Sequence, residues 1–296
     1  MRRDFVIVAV SENGISDDFI SGLKKILTDS SLPVDFQEQS QHRLLINLQD
    51  HDFQHEILDS SLVTLAATYQ VDVGLIPQEI FLTPKKLVVF DMDSTLITSE
   101  VIDEMALCHG VGDAVKLITK RAMNGELKFD QSLTERVSLL KGFKRSHMET
   151  ILKNLTFTPG TENFIRILRA NGIKTAIASG GFQYFAKNIQ ATLQMDYVFA
   201  NELEFEGDLL TGKITGAIVN AEAKEEIIQV LAQNHGFSLN EIVAIGDGAN
   251  DIPMLLKAGL GIAIHAKEKV QKTAHFRINF GPMTHALAFM NMKGKK

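Results

Sequence analysis

Two aspartates one residue apart, Asp91 and Asp93, follow directly on the apolar run LVVF at 87–90. Carboxylates this close repel, and each raises the other's pKa unless a cation intervenes. A hard divalent ion such as Mg²⁺ takes oxygen ligands from one or two carboxylates plus a substrate phosphate. An aspartate can also attack phosphorus itself and form an aspartyl-phosphate. The pair could therefore supply a nucleophile and an acid–base group around one metal ion. Taken alone, it could equally cap a turn or the helix that follows.

Three more clusters have the same double reading. Ser179-Gly180-Gly181 ends the run IKTAIAS; its glycines admit a close ligand, and its hydroxyl and N–H groups can hold a phosphoryl oxygen. Lys224, in NAEAKEEII, opens a helical stretch and could neutralise phosphate charge, although a lone lysine is usually a solvated surface group. GDGANDIPML at 246–255 places Asp247 and Asp251 four residues apart with Asn250 between them. Asp247 could complete a metal site, and Asp251 could reach it or orient Lys224. Two acids, two glycines and an amide exceed what a turn requires. Together the four clusters form one electrostatic device: cations offset phosphate charge, serine and N–H groups hold its oxygens, and aspartate attacks. Phosphoryl transfer needs chiefly positioning and charge stabilisation.

The elements that must position these groups are short apolar strands: LVVF (87–90), IKTAIAS (173–179), EIVAIGD (241–247) and GLGIAI (259–264). Helical stretches lie between most of them. This pattern implies an α/β fold with a Rossmann-like parallel sheet buried on both faces, binding ligands beyond the strands' carboxyl ends. Residues 99–157 read as mostly helical and could fold over the first cluster as a cap. Residues 1–82 read differently. DFVIVAV, DDFISGLKKIL, PVDFQEQ, HRLLINL, a helix over 52–69 and VDVGLIP give the order βαββαβ, a small ferredoxin- or ACT-like α+β domain. It could bind a ligand, pair two chains into a homodimer, or be purely structural. Thr83-Pro84-Lys85-Lys86 is the expected joint, and 83–296 the second domain.

Bulk composition is ordinary for a soluble globular chain: 296 residues, 45% hydrophobic and 22% charged. A net charge of -6 argues against nucleic acid or an anionic membrane as partner. The single cysteine, Cys108, excludes an internal disulfide; a core position in a reducing, cytoplasmic compartment is expected. The N-terminal run FVIVAV is too short for a signal sequence or a bilayer span. KGKK at the end reads as a frayed tail.

The combination DMDSTL, SGG, Lys224 and GDGANDIPML resembles the four motifs of the haloacid dehalogenase-like phosphatase superfamily, over residues from about 85 to 285. The DxDST form, the helical cap and RVSLLKG resemble its phosphoserine phosphatase branch, some members of which carry an extra N-terminal, sometimes ACT-like, domain. That resemblance implies Asp91 as nucleophile and Asp93 as the group that protonates the leaving serine oxygen and then activates water. It implies Mg²⁺ on Asp91, Asp93 and Asp247, the Asp93 main-chain carbonyl included. Ser179 and Gly180 with Lys224 would bind the phosphoryl group, and Asn250 and Asp251 would support metal and substrate. In the cap, Arg136 would take the carboxylate and Glu100 the ammonium of O-phospho-L-serine, while Met123 and Phe129 shield the site. A related enzyme with another small substrate, such as phosphohomoserine, and a catalytically inert binding module are the competing readings. The intact set Asp91, Asp93, Lys224 and Asp247 speaks against the second.

Overall fold

The computed structural model describes residues 4–32, 36–49 and 55–292. The expectations for 33–35, for 52–54 and for the KGKK tail lie outside these residues.

β1 (Phe5–Val10), α1 (Asp17–Asp29), β2 (Phe36–Gln39), β3 (Arg43–Leu48), α2 (His55–Tyr69) and β4 (Asp72–Pro77) follow in the expected order. Their sheet is antiparallel and ordered β2-β3-β1-β4. Alternation along the strands splits its side chains between two cores. Ile7, Ala9, Leu44 and Ile46 pack with α1 and α2. Val6, Val8, Leu45 and Ile76 face the other way and join the main core of the chain. α3 (Gln78–Leu82) leads into the joint. Lys85 there is buried, its ammonium donating to the carbonyls of Ile80, Thr83 and Asn240; burial lowers its pKa to about 8.

The second sheet has the order β11-β10-β9-β5-β6-β7-β8. β5 (Leu87–Phe90) is central, between β6 (Lys174–Phe182) and β9 (Ile242–Gly246). β7 (Tyr197–Glu206), β10 (Leu260–Ile264) and β11 (Phe276–Ile278) extend it in parallel, and β8 (Leu209–Thr215) turns back antiparallel to β7. Val88, Phe90, Ile177 and Val243 enter one core, Leu87, Val89, Ala176 and Ile242 the other. This two-sided burial explains why the strands are continuous apolar runs. α8 (Thr161–Ala170), α9 (Gln183–Leu193), α10 (Ala221–His235), α11 (Ile252–Lys257), α12 (Glu268–Thr273) and α13 (Ala286–Phe289) complete the fold. No described helix is long and apolar enough to cross a membrane.

α4 (Val101–His109), α5 (Gly112–Met123), α6 (Phe129–Ser138) and α7 (Arg145–Asn154) form the helical insertion. An antiparallel bridge between Ile97 and Phe157 closes its two ends. The link between α6 and α7 is hydrogen-bonded to the β7–β8 hairpin: Gly142 N–H donates to Leu210 C=O at 2.7 Å, and Arg145 N–H to Asp208 C=O at 2.9 Å. β7, β8 and β11 are not among the strands expected from the sequence. The hairpin had a signal in the Gly207-Asp208 turn of EFEGDLL, where Gly207 takes φ +61°. One expectation is overturned: Cys108 is exposed. The buried stripe of α4 is Val101, Ile102, Met105 and Ala106, and Cys108 lies past it, in the last turn.

Candidate active site

β5 delivers Asp91 to the centre of the sheet's carboxyl edge, where its N–H donates to Ile245 C=O at 2.9 Å. The chain then turns sharply; Leu96 N–H returns to Met92 C=O at 2.9 Å. Ser94 sits inside this turn with φ +56°, a left-handed conformation uncommon for a residue with a Cβ. Its hydroxyl donates to Glu100 Oε1 at 3.1 Å. The same turn aims Asp93 back at the cap: Oδ1 accepts the N–H of Val101, the first residue of α4, at 3.0 Å. Thr95, fully buried, donates to Asp247 Oδ1 at 3.1 Å and so ties the first strand end to the fourth cluster.

Lys224 is not a solvated surface group. It is completely buried, with Nζ 2.7 Å from Asp91 Oδ1 and 2.6 Å from Asp251 Oδ1. α10 places it there, capped by Asn220, whose side chain accepts the Ala223 N–H. Asp251 Oδ2 takes the Gly248 N–H at 2.8 Å, so both of its oxygens are engaged. Gly246 lets Asp251 approach, since a Cβ at 246 would lie 2.6 Å from Asp251 Cγ. Ser179 is buried beneath the end of β6, its Oγ accepting the Gly181 N–H at 2.9 Å.

Burial first, and neighbouring charge second, set the site's electrostatics. Burial, then the neighbouring Asp251, pushes the Asp91 carboxyl well above the usual carboxylate range, and Lys224 opposes this. Asp93 is raised by burial, then by Glu100 and Asp91, against the Val101 N–H. Asp247 is pushed to about 7 by burial, then by Asp251 and Glu100. The Lys224 ammonium is held protonated by Asp251 and Asp91, which outweigh its burial.

Carboxylate oxygens of Asp91, Asp247 and Asp251 lie within 4.8 Å of one another. Asp93 is not in this group; its Oδ1 faces Val101 instead. Three buried carboxylates against one buried ammonium leave an excess of negative charge that one divalent cation would balance. Hard oxygen donors suit such an ion, so the residues present fit a divalent metal.

A cavity of about 290 Å³ opens above these groups. Asp91, Asp93, Asp247, Asn250 and Gly180 form its floor; Glu100, Met123, Phe129 and Arg136 come from the cap. Ser179, Lys224 and Asp251 lie beneath the floor rather than on it. Arg136 is largely buried; that burial lowers its pKa, and Glu100, Asp103 and Asp93 counter it. Met123 stands at the mouth, 70% exposed. Phe129 covers Gly180 so closely that a Cβ there would lie 2.7 Å from its ring. Lys267, Asp103 and Thr119 also line the cavity and were not singled out in the sequence. Lys267 had a signal: it follows β10, another strand end of the same sheet.

Residues 85–259 match the family model described as haloacid dehalogenase-like hydrolase. A phosphoserine phosphatase of Archaeoglobus fulgidus is 46% identical over 204 residues, 69% of this chain and 59% of that protein. A HAD family hydrolase of Salmonella enterica serovar Typhi superposes with TM-score 0.85 at 32% identity, over 97% of this chain and 98% of that one. A structure described as a phospho-aspartyl intermediate analogue of phosphoserine phosphatase superposes with TM-score 0.65 at 42% identity, over 71% of this chain and all of that one.

Proposed function

The chain belongs to the haloacid dehalogenase-like hydrolases, and on that premise we propose that it hydrolyses O-phospho-L-serine to L-serine and phosphate through an aspartyl-phosphate, with Mg²⁺ as cofactor. One observation carries the reading. A single cavity holds Asp91 and Asp93 together with a cap arginine, Arg136, and a cap glutamate, Glu100. A phosphate monoester with a carboxylate and an ammonium meets a complementary group for each of its charges.

The Asp91 carboxylate attacks phosphorus with the oxygen that Lys224 does not hold. As that O–P bond forms, the bond from phosphorus to the serine oxygen breaks. Asp93, whose carboxyl is raised by burial, gives its proton to the leaving oxygen. The Asp93 carboxylate then takes a proton from water as the water oxygen attacks phosphorus. Asp91 is released, and Asp93 is protonated again. Lys224 offsets phosphoryl charge, Ser179 and the Gly180 turn receive phosphoryl oxygens, and Asp251 holds Lys224 in place. Asp91, Asp247 and the main chain of Asp93 would hold Mg²⁺, which would supply positive charge against the phosphate. Arg136 takes the substrate carboxylate, Glu100 the ammonium, and Phe129 and Met123 limit water. The same reading divides the chain near residue 83 and places the enzyme in the cytoplasm.

The test is phosphate release from O-phospho-L-serine with Mg²⁺, beside EDTA and Asp91→Asn controls. Activity lost in both controls, and much weaker on phosphothreonine, phosphohomoserine and p-nitrophenyl phosphate, is the expected result. Robust hydrolysis of p-nitrophenyl phosphate or phosphohomoserine with none of phosphoserine would overturn the substrate.

A further inference from the structure

Two asparagines that the reaction scheme leaves unused join the cap to the phosphate-binding turn. Asn201 lies where β7 leaves the core sheet: it pairs with Phe182 of β6, and the next residue, Glu202, pairs with Thr215 of the hairpin. It is 1% exposed. Its Nδ2 donates to Gly180 C=O at 2.8 Å, and its Oδ1 accepts the Val219 N–H at 2.8 Å. A carbonyl can only accept and an N–H can only donate, so these partners fix the amide's orientation. The crosspiece therefore sets the spacing between the Gly180 turn and the start of α10.

Asn220 is the next residue after Val219 and the N-cap of α10. Its Oδ1 accepts the Ala223 N–H at 3.1 Å, leaving Nδ2 free to donate outward. That group reaches Asp130 of the cap, 3.2 Å from Oδ1 and 3.3 Å from Oδ2. Asp130 adjoins Phe129, which covers Gly180. The contacts close a circuit: Gly180, Asn201, Val219, Asn220, Asp130, Phe129 and back to Gly180. Lys224 is one turn along α10, its N–H bonded to Asn220 C=O at 3.0 Å.

We propose that Asp130 and Asn220 form a latch that holds the cap over the substrate, and that Asn201 passes the latched position to the phosphate-binding turn. The inference rests on the phosphatase reading above for its kinetic readout. Asn201 and Asn220 are positioning residues; neither is assigned a contact with the reacting atoms. The latch matters most for a substrate that the cap itself grips, through Glu100 and Arg136. A phosphate ester without an amino-acid head draws less from it.

The test exchanges the two partners. Asn220→Asp keeps an acceptor for Ala223 N–H, so α10 retains its N-cap, but sets a carboxylate against Asp130. Adding Asp130→Asn restores one donor and one acceptor across the gap, in the opposite direction. N220D is expected to lower kcat/KM for O-phospho-L-serine about tenfold, and the double variant to return within about twofold of wild type. The loss on p-nitrophenyl phosphate is expected to be smaller. Amide exchange across 129–138 should quicken in N220D and slow again in the double variant. Asn201→Asp, which removes the donor to Gly180, should lower kcat about tenfold where it folds. Wild-type kinetics and exchange in N220D, or a double variant as impaired as N220D, would overturn the latch. If wild type releases no phosphate from phosphoserine, the substrate assignment falls, and the exchange measurement alone still decides the latch.

Discussion

Replacing Lys224 by methionine removes the ammonium and keeps most of the side chain's volume. In the native protein the ammonium sits between two carboxylates at 2.7 and 2.6 Å, out of reach of water. Without it, Asp91 and Asp251 are buried like charges with no counter-ion from the protein. Removing one partner of a buried ion pair costs about 3–5 kcal/mol, because the partner left behind keeps its desolvation penalty. Urea unfolding of the metal-free variant near neutral pH should show a loss of that size. Adding Asp251→Asn removes one of the orphaned charges and should recover about 1–2 kcal/mol. Catalysis suffers separately, since Asp91 titrates still higher and the phosphoryl group loses a cation; kcat should fall about 10²–10³-fold. The pH dependence has a definite sign. A carboxyl raised in the folded state favours folding below its unfolded pKa, and that contribution is lost as pH rises through the folded value. The K224M penalty must therefore shrink on acidification. A variant within about 1 kcal/mol of wild type at neutral pH, or one whose penalty grows in acid, would show that Lys224 does not neutralise the two carboxylates.

Asp247 supplies a metal-linked prediction. Its carboxyl is raised from 3.8 to about 7, so metal-free protein should lose stability as pH climbs through that window. The loss is on the order of 4 kcal/mol. Excess Mg²⁺ should restore it at about pH 8 and do little at about pH 5, where Asp247 holds a proton. Thermal melts with Mg²⁺ or EDTA at both pH values check this, and a metal effect independent of pH would contradict it. Arg136→Lys keeps the charge and loses the planar fork, so KM for phosphoserine should rise about 10–100-fold. Hydrolysis of p-nitrophenyl phosphate by the same variant should stay within about twofold of wild type, which steady-state kinetics on both substrates would show.

The gathering of polar residues at the strand ends was legible because it is written in contiguous residues. Apolar runs ending in DMD, SGG and GDGAND announce a sheet edge and a charged site together. The N-terminal βαββαβ order was legible for the same reason: hydrophobic periodicity is local. What was hidden depends on contacts across the fold. Asn201 is one amide within FANELEF, and nothing in its neighbourhood says that it meets Gly180 and Val219. Thr95 looks like the tail of DST, yet it holds Asp247, 152 residues away. The burial of Lys224 contradicts its surroundings, since the two glutamates that follow it read as a solvated face. β11 is only three residues long, too short for alternation to register. Cys108 shows the opposite error, where a composition-level preference for burial gave way to its place on the helix.

The N-terminal sheet has no solvent face in the direction of the rest of the chain. Val6, Val8, Leu45, Ile76 and Phe81 share one core with Phe276 and Phe289. Gly74 lies where a Cβ would stand 2.7 Å from the Phe276 ring. The buried Asp72 carboxylate accepts the N–H groups of Asn279, Phe280 and Gly281 and bonds to His285. A gene shortened to begin at residue 83 would therefore not shed a passenger. It would bare an oily surface and strip three main-chain donors of their acceptor. Residues 276–289, at the far end of the chain, are thus anchored by the first module and not only by their neighbours in sequence.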